Sequence, residues 1–231
     1  MADAQVPASA VVRSLTSLGF VFVIMAVLLF LPAGTFSWPI GWWFIIAFIG
    51  ACLVSVAALW WLNPEIFVAR SRIQRGTKRQ DYIFIILIAI GFLGVLPVAG
   101  LDYRFGWSHM PTWVIVLGYV IFVPGFVGQG WSQAVNRHFE PGVRIQEDRG
   151  QTVIDTGPYA IMRHPGYTSG ALFAISTALM LGSYWALIPA LLVGATLVPR
   201  TLFEEETLRT ELPGYTEYTR RVKWRFVPGV W

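Results

Sequence analysis

The chain has 231 residues, of which 55% are hydrophobic and only 13% are charged, whereas soluble domains usually carry about 25% charged residues. With a mean hydropathy of +0.59, this composition excludes an ordinary water-soluble protein and predicts one membrane domain that crosses the bilayer several times. The net charge of +4 does not indicate nucleic-acid binding, because no nucleic-acid recognition motif accompanies it.

Five uncharged stretches provide the candidate membrane spans. A helix needs about 20 apolar residues to cross the bilayer, and four stretches are each long enough for one crossing: 14–35, 38–62, 82–101 and 111–135. The fifth, 166–199, is too long for one helix and is interrupted by Gly182-Ser183-Tyr184. We therefore predict an all-α bundle of about six spans, the last two forming a helical hairpin.

The first stretch follows Arg13, as the apolar part of a secretory signal follows its basic residues. It is too long for a signal peptide and no A-x-A-like cleavage site follows it. We expect it to be retained as a signal anchor.

Basic residues predict the orientation of the chain. Of the 17 Lys and Arg residues, 16 fall on one side of the predicted spans and only Arg104 falls on the other. The loop after the second span carries Arg70, Arg72, Arg75, Lys78 and Arg79. The positive-inside rule then places both termini in the cytoplasm, where these side chains can also contact anionic lipid headgroups.

The predicted spans contain no Asp, Glu, Lys or Arg and no internal repeat, which argues against an ion-coupled transporter. The single cysteine, Cys52, and three unclustered histidines predict no metal site. Polar residues instead gather in a cytoplasmic loop, 136–165, and a C-terminal segment, 203–231, on either side of the hairpin at 166–202. We expect the functional site to lie where these two segments meet the four N-terminal spans within 14–135.

Four short motifs occur in these segments: Gly157-Pro158-Tyr159, Arg163-His164-Pro165-Gly166-Tyr167, Glu204-Glu205-x-x-Leu208 and Gly214-Tyr215-x-x-Tyr218. In this order and spacing, over roughly residues 125–231, they resemble the isoprenylcysteine carboxyl methyltransferase and phospholipid methyltransferase superfamily. The resemblance is greater to bacterial members, which implies a location in the bacterial inner membrane.

That resemblance implies a membrane methyltransferase that uses S-adenosyl-L-methionine without the Rossmann sheet of soluble methyltransferases. The residues agree on the last point, since no βαβ alternation or glycine-rich dinucleotide turn occurs. It implies cofactor-binding roles for Tyr159, Arg163, His164, Tyr167, Glu204, Glu205, Tyr215 and Tyr218, and for Gly128 and Gly130 of a G-x-G sequence. We further predict catalytic roles for His164, as a hydrogen-bond donor or base, and for Arg221, as an anion-binding fork.

Structural roles remain open for the same residues. Glu204 and Glu205 can form a solvated helix turn, and Gly128 and Gly130 can serve only helix packing. Arg221 belongs to a basic strip that can bind lipid phosphates, and Tyr215 and Tyr218 can anchor the chain at the membrane interface.

The methyl acceptor is expected to be lipophilic and to enter sideways from the bilayer past small residues such as Gly170. The resemblance favours O-methylation of a prenylcysteine-type carboxylate, which needs no base. N-methylation of a phospholipid or another lipid is the alternative, with His164 removing the amine proton. Two alternatives belong to other functional classes: an NADPH-dependent membrane reductase, and a non-catalytic scaffold or carrier.

Overall fold

The computed structural model describes residues 8–70 and 73–231, which form eight α-helices. They are α1 (Ala8–Ala33), α2 (Pro39–Leu62), α3 (Ile66–Ala69), α4 (Asp81–Phe105), α5 (Thr112–Val135), α6 (Pro165–Met180), α7 (Leu187–Glu211) and α8 (Tyr215–Arg221). Two 3₁₀ turns lie at Glu147–Arg149 and Gly157–Ala160, and these ranges contain no strand. The predicted all-α class is confirmed.

Four of these helices, α2, α4, α5 and α7, are long and apolar enough to cross a membrane. A shorter apolar stretch, Gly19–Ala33, belongs to α1, and α6 has 16 residues. The hairpin is present as α6 and α7, whose connection contains Gly182 at a φ of 73°, a conformation that glycine adopts without strain. Arg72, one of the residues used to predict orientation, lies outside the described residues.

Close packing of α6 on α5 and of α4 on α1 and α7 builds the bundle. Its core contains Leu29, Phe44, Val95, Ala178 and Val193. Because lipid is as apolar as these side chains, van der Waals contact rather than the hydrophobic effect holds the helices together. Small residues permit that contact.

The two ends of the bundle are tied separately. At one end, Lys78 pairs with Glu211 at 2.6 Å, so the loop before α4 lies beside the end of α7. At the other end, the buried carboxylate of Asp102 accepts hydrogen bonds from the Ser183 hydroxyl and from the Ser108 backbone N–H. The predicted polar segments all meet at the first end.

The helices extend beyond the predicted uncharged stretches, and the additional turns carry ionisable residues. Asp81 begins α4 and is fully buried, and Arg200 and Glu205 are buried within α7. Helix α7 continues through the boundary predicted between 202 and 203, since no glycine or proline lies between residue 200 and Pro213. Each of these buried charges has a partner of opposite sign, which makes its burial possible.

Gly118 on α5 tests the packing against α6. A Cβ at this position would lie 2.6 Å from the backbone nitrogen of Met180, so Gly118→Ala must separate the helices. We expect a loss of about 1–3 kcal/mol in unfolding free energy, measured by thermal unfolding in detergent. Gly50→Ala on α2, where a Cβ meets nothing within 4 Å, is the control; equal losses in both variants would contradict this account of the interface.

Candidate active site

The carboxylate of Glu205 is the centre of a polar cluster at the end of the bundle that carries the Lys78–Glu211 pair. Its Oε1 lies 2.6 Å from Nε of Arg163 and 3.3 Å from Nε2 of His164. Its Oε2 lies 3.1 Å from Nε of Arg225 and 3.4 Å from Nη2 of Arg209. With 3% of its side chain exposed, Glu205 is satisfied entirely by protein cations, which offset the cost of its burial.

The C-terminal segment is held against the start of the hairpin. Arg163 donates from Nη1 to the carbonyls of Val222 and Lys223, at 2.7 and 2.8 Å. The backbone N–H groups of Arg163 and His164 donate to the carbonyls of Trp224 and Arg225. These bonds explain the Arg-His-Pro sequence at the start of α6. Pro165 is the first helical residue, where a backbone N–H would have no partner within the helix. Arg163 and His164 precede the helix and bind the C-terminal segment.

His164, Tyr167 and Glu204 form the part of the cluster nearest the cavity. The Tyr167 hydroxyl donates to Oε2 of Glu204 at 2.5 Å, and its ring stacks on His164 with centroids 5.3 Å apart. Nδ1 of His164 lies 3.7 Å from the same Glu204 oxygen. Within the described residues, Oε1 of Glu204 makes no hydrogen bond. That oxygen is available to a ligand.

A second buried ion pair, between Arg200 and Asp81, lies next to Tyr167. Arg200 contacts both carboxylate oxygens of Asp81, at 2.8 and 3.0 Å, and donates to the carbonyl of Pro141. Its guanidinium lies 5.2 Å from the ring centroid of Tyr167, within cation–π range. Asp81 also accepts from the backbone N–H of Val143. The sequence did not indicate this pair, because nothing local links two residues that are 119 positions apart.

A polar cavity of about 120 Å³ lies beside this cluster, between the loop at 136–154 and the ends of α6 and α7. Tyr159, Tyr215 and Tyr218 form one wall. Burial raises the pKa of each of these phenols above its usual value, so they remain neutral hydrogen-bonding groups. Tyr218 donates to the Tyr159 carbonyl, whereas the buried Tyr215 hydroxyl has no partner in the described residues.

The residues of this cavity fit S-adenosylmethionine in their chemistry. Glu204 can accept from a ribose diol or an ammonium group through Oε1, Tyr215 offers an unused hydroxyl, and the tyrosine rings can stack on adenine. The volume is below the roughly 300–1,000 Å³ typical of small-molecule sites. A cofactor of this size therefore needs more room than this cavity provides.

A larger, mostly apolar cavity of about 590 Å³ lies deeper in the bundle, between α2, α4, α5 and α6. It is lined by Phe48, Ile88, Phe92, Phe126, Gly170 and Phe173, among others. Four residues line both this apolar cavity and the polar cavity: Phe139, Glu140, Gly166 and Tyr167. The two cavities are thus separated by a wall one side chain thick.

Three of the predicted site residues lie away from the polar cavity. Arg221 pairs with Asp155 at 2.7 Å with 66% of its side chain exposed, and it lines neither cavity. At Gly128 a Cβ would meet the Ser169 hydroxyl at 2.5 Å, so this glycine allows α5 to approach α6. Gly130 lines the apolar cavity. Their predicted roles have no support from these positions.

Glu205→Gln tests whether the buried carboxylate holds the cluster together. Removing its charge leaves Arg163, 3% exposed, without a counter-ion, so we expect a loss of about 3 kcal/mol or more in unfolding free energy. Glu211→Gln on the same helix removes an exposed pair with Lys78 and is expected to cost less than about 1 kcal/mol. Chemical denaturation in detergent compares the two, and similar losses would refute a central role for Glu205.

Residues 113–212 match the family model of the phospholipid methyltransferases, a range that includes α5, the hairpin, His164, Glu204 and Glu205. No curated protein matches the chain. The resemblance seen in the sequence is confirmed over this range, which is similar to the phospholipid methyltransferases, part of the integral membrane methyltransferase superfamily that also contains the isoprenylcysteine carboxyl methyltransferases.

Proposed function

We propose that the protein transfers a methyl group from S-adenosylmethionine to a lipophilic acceptor that enters from the bilayer. The adjacency of the polar and apolar cavities carries this proposal, because a water-soluble donor and a lipid acceptor can then meet across the wall at Gly166 and Tyr167. The family match supports methyl transfer as the reaction. The basic loops that meet at the polar cavity support a cytoplasmic position for it and for both termini, in a bacterial inner membrane.

In this proposal, Glu204 and Tyr215 bind the cofactor, while Glu205 and Arg163 only position the residues around it. When bound, S-adenosylmethionine supplies an activated methyl group on a sulfonium. The protein contributes orientation and exclusion of water, which provide most of the acceleration in a direct displacement. His164 and Tyr167 are held at the wall by Glu204 and Glu205, and they fix the direction from which an acceptor approaches.

The surroundings of His164 favour a carboxylate acceptor of the prenylcysteine type. Nε2 faces Glu205 at 3.3 Å and Nδ1 faces Glu204 at 3.7 Å, so both ring nitrogens are directed at carboxylates. A base for an amine acceptor needs a ring nitrogen directed at the substrate. A carboxylate is already ionised at neutral pH and needs none. Phospholipid or other lipid N-methylation remains the second candidate, since the matched family carries that name.

Calorimetric titration with S-adenosylhomocysteine tests the cofactor site. We expect saturable binding to the wild type and a loss of about 10- to 100-fold in Glu204→Gln, since a hydrogen bond to a charged group contributes about 1.5–3 kcal/mol. Glu206→Gln, an exposed neighbour outside the cavity, is the matched control. Binding of NADPH in place of S-adenosylhomocysteine by the folded wild type would point to a reductase and reject the proposal.

The apolar cavity is tested with Gly170→Leu. A Cβ at Gly170 lies 4.0 Å from Phe92, so a leucine side chain can enter the cavity without displacing backbone and occupies the space of a lipid tail. We expect at least a tenfold rise in KM for a lipid acceptor with unchanged affinity for S-adenosylhomocysteine. Gly194→Leu on α7, where a Cβ meets nothing within 4 Å, should change neither quantity; parallel loss of both in Gly170→Leu would argue against separate sites.

A further inference from the structure

We infer that Arg70 binds the anionic group of the methyl acceptor at the cytoplasmic mouth of the apolar cavity, so that the acceptor is an acidic amphiphile. The inference rests on the proposed function, and it adds the residue that recognises the acceptor through its charge. Arg70 follows directly on α3 and lines the apolar cavity. It lies outside the range matched by the family model.

The position of Arg70 sets its charge beside the wall between the two cavities. Its guanidinium carbon lies 5.1 Å from the ring centroid of Phe139, and Phe139 lines both cavities. An anion bound by Arg70 would therefore lie between a tail in the apolar cavity and a methyl donor in the polar one. This is the place that the reacting headgroup of a lipid must occupy.

Of the charged residues that line the apolar cavity, Arg70 is the one without an oppositely charged partner in the described part of the chain. The other charged residues of its lining are Arg200, which pairs with Asp81, and Glu140, which pairs with Arg144 at 2.7 Å. Among the residues that the structure describes, the Arg70 side chain has no acidic partner and no hydrogen bond. Its side chain is exposed at the edge of the apolar cavity, so an anionic ligand can reach the guanidinium and pair with it.

Two amide side chains complete the polar mouth. Gln129 and Gln133 are one helical turn apart on α5 and line the same cavity. In the described part of the chain neither side chain has a hydrogen-bond partner, and Oε1 of Gln129 is buried. Buried amides are normally satisfied, so this pair is a candidate contact for the polar part of an acceptor. Their N–H groups can donate to a carboxylate or a phosphate, the two anionic groups that a guanidinium fork prefers.

Matched pairs of acidic and neutral amphiphiles test this inference without the cofactor. The first pair is N-acetyl-S-farnesylcysteine and its methyl ester, which share a tail and differ in one charge. The second is a lysophosphatidic acid and the monoacylglycerol with the same acyl chain. Binding to the full-length protein in detergent is measured for the wild type, Arg70→Gln and Arg79→Gln, the last being an exposed arginine of the same loop that lines neither cavity.

We expect the wild type to prefer the acid in at least one pair. Arg70→Gln should weaken that acid about 10- to 100-fold and change its neutral counterpart by less than about twofold, which also shows that the cavity is intact. Arg79→Gln should change neither. The pair that responds identifies the anion as a carboxylate or a phosphate.

Equal affinity of the wild type for acid and neutral members, or equal loss of both in Arg70→Gln, would overturn the inference. The proposed function fails separately, through the absence of S-adenosylhomocysteine binding. A wild type that binds S-adenosylhomocysteine and shows no preference for an acid rejects the role of Arg70 alone.

Discussion

One buried carboxylate determines how the C-terminal half of this protein is assembled. Glu205 joins the residue before the hairpin, Arg163, to the C-terminal segment through Arg225. A buried carboxylate is costly without cationic partners, so the contacts of Glu205 with Arg163 and Arg225 favour the close approach of the three segments. The positions of His164 and of the free oxygen on Glu204 follow from that requirement. The polar cavity is therefore a product of the same electrostatics that keep the structure closed.

Hydropathy predicted most of the fold because a membrane helix requires an almost continuous apolar run. The helices observed begin and end within a few residues of the predicted spans, except where charge is involved. Here α7 continues past 202 to Glu211, and α4 begins with the buried Asp81. A prediction from hydropathy ends a span at the first charged residue. The observed helix continues past that residue when a partner from a distant segment neutralises the charge.

Motif spacing predicted which segments meet, and it did not distinguish the roles of their residues. Glu204 and Glu205 are adjacent and look equivalent in sequence, yet only Glu204 retains an oxygen free of hydrogen bonds in the described residues. Arg221 lies in a basic strip whose members cannot be ranked by sequence, and it faces outward. Arg70 lies before the range that resembles the family and belongs to none of the motifs. In each case the decisive information is which face of a helix or loop meets the cavity, which is a tertiary property.

The pair between Asp81 and Arg200 has a consequence for how the chain enters the membrane. Its members are separated by 119 residues, so at a synthesis rate of 5–20 residues per second Asp81 waits roughly 6–24 s before its partner has been made. During that time an unpaired carboxylate at the head of α4 is more stable in water than in lipid. The end of α4 is then held at the membrane surface until α7 arrives, and completion of the bundle depends on the last long helix to be synthesised.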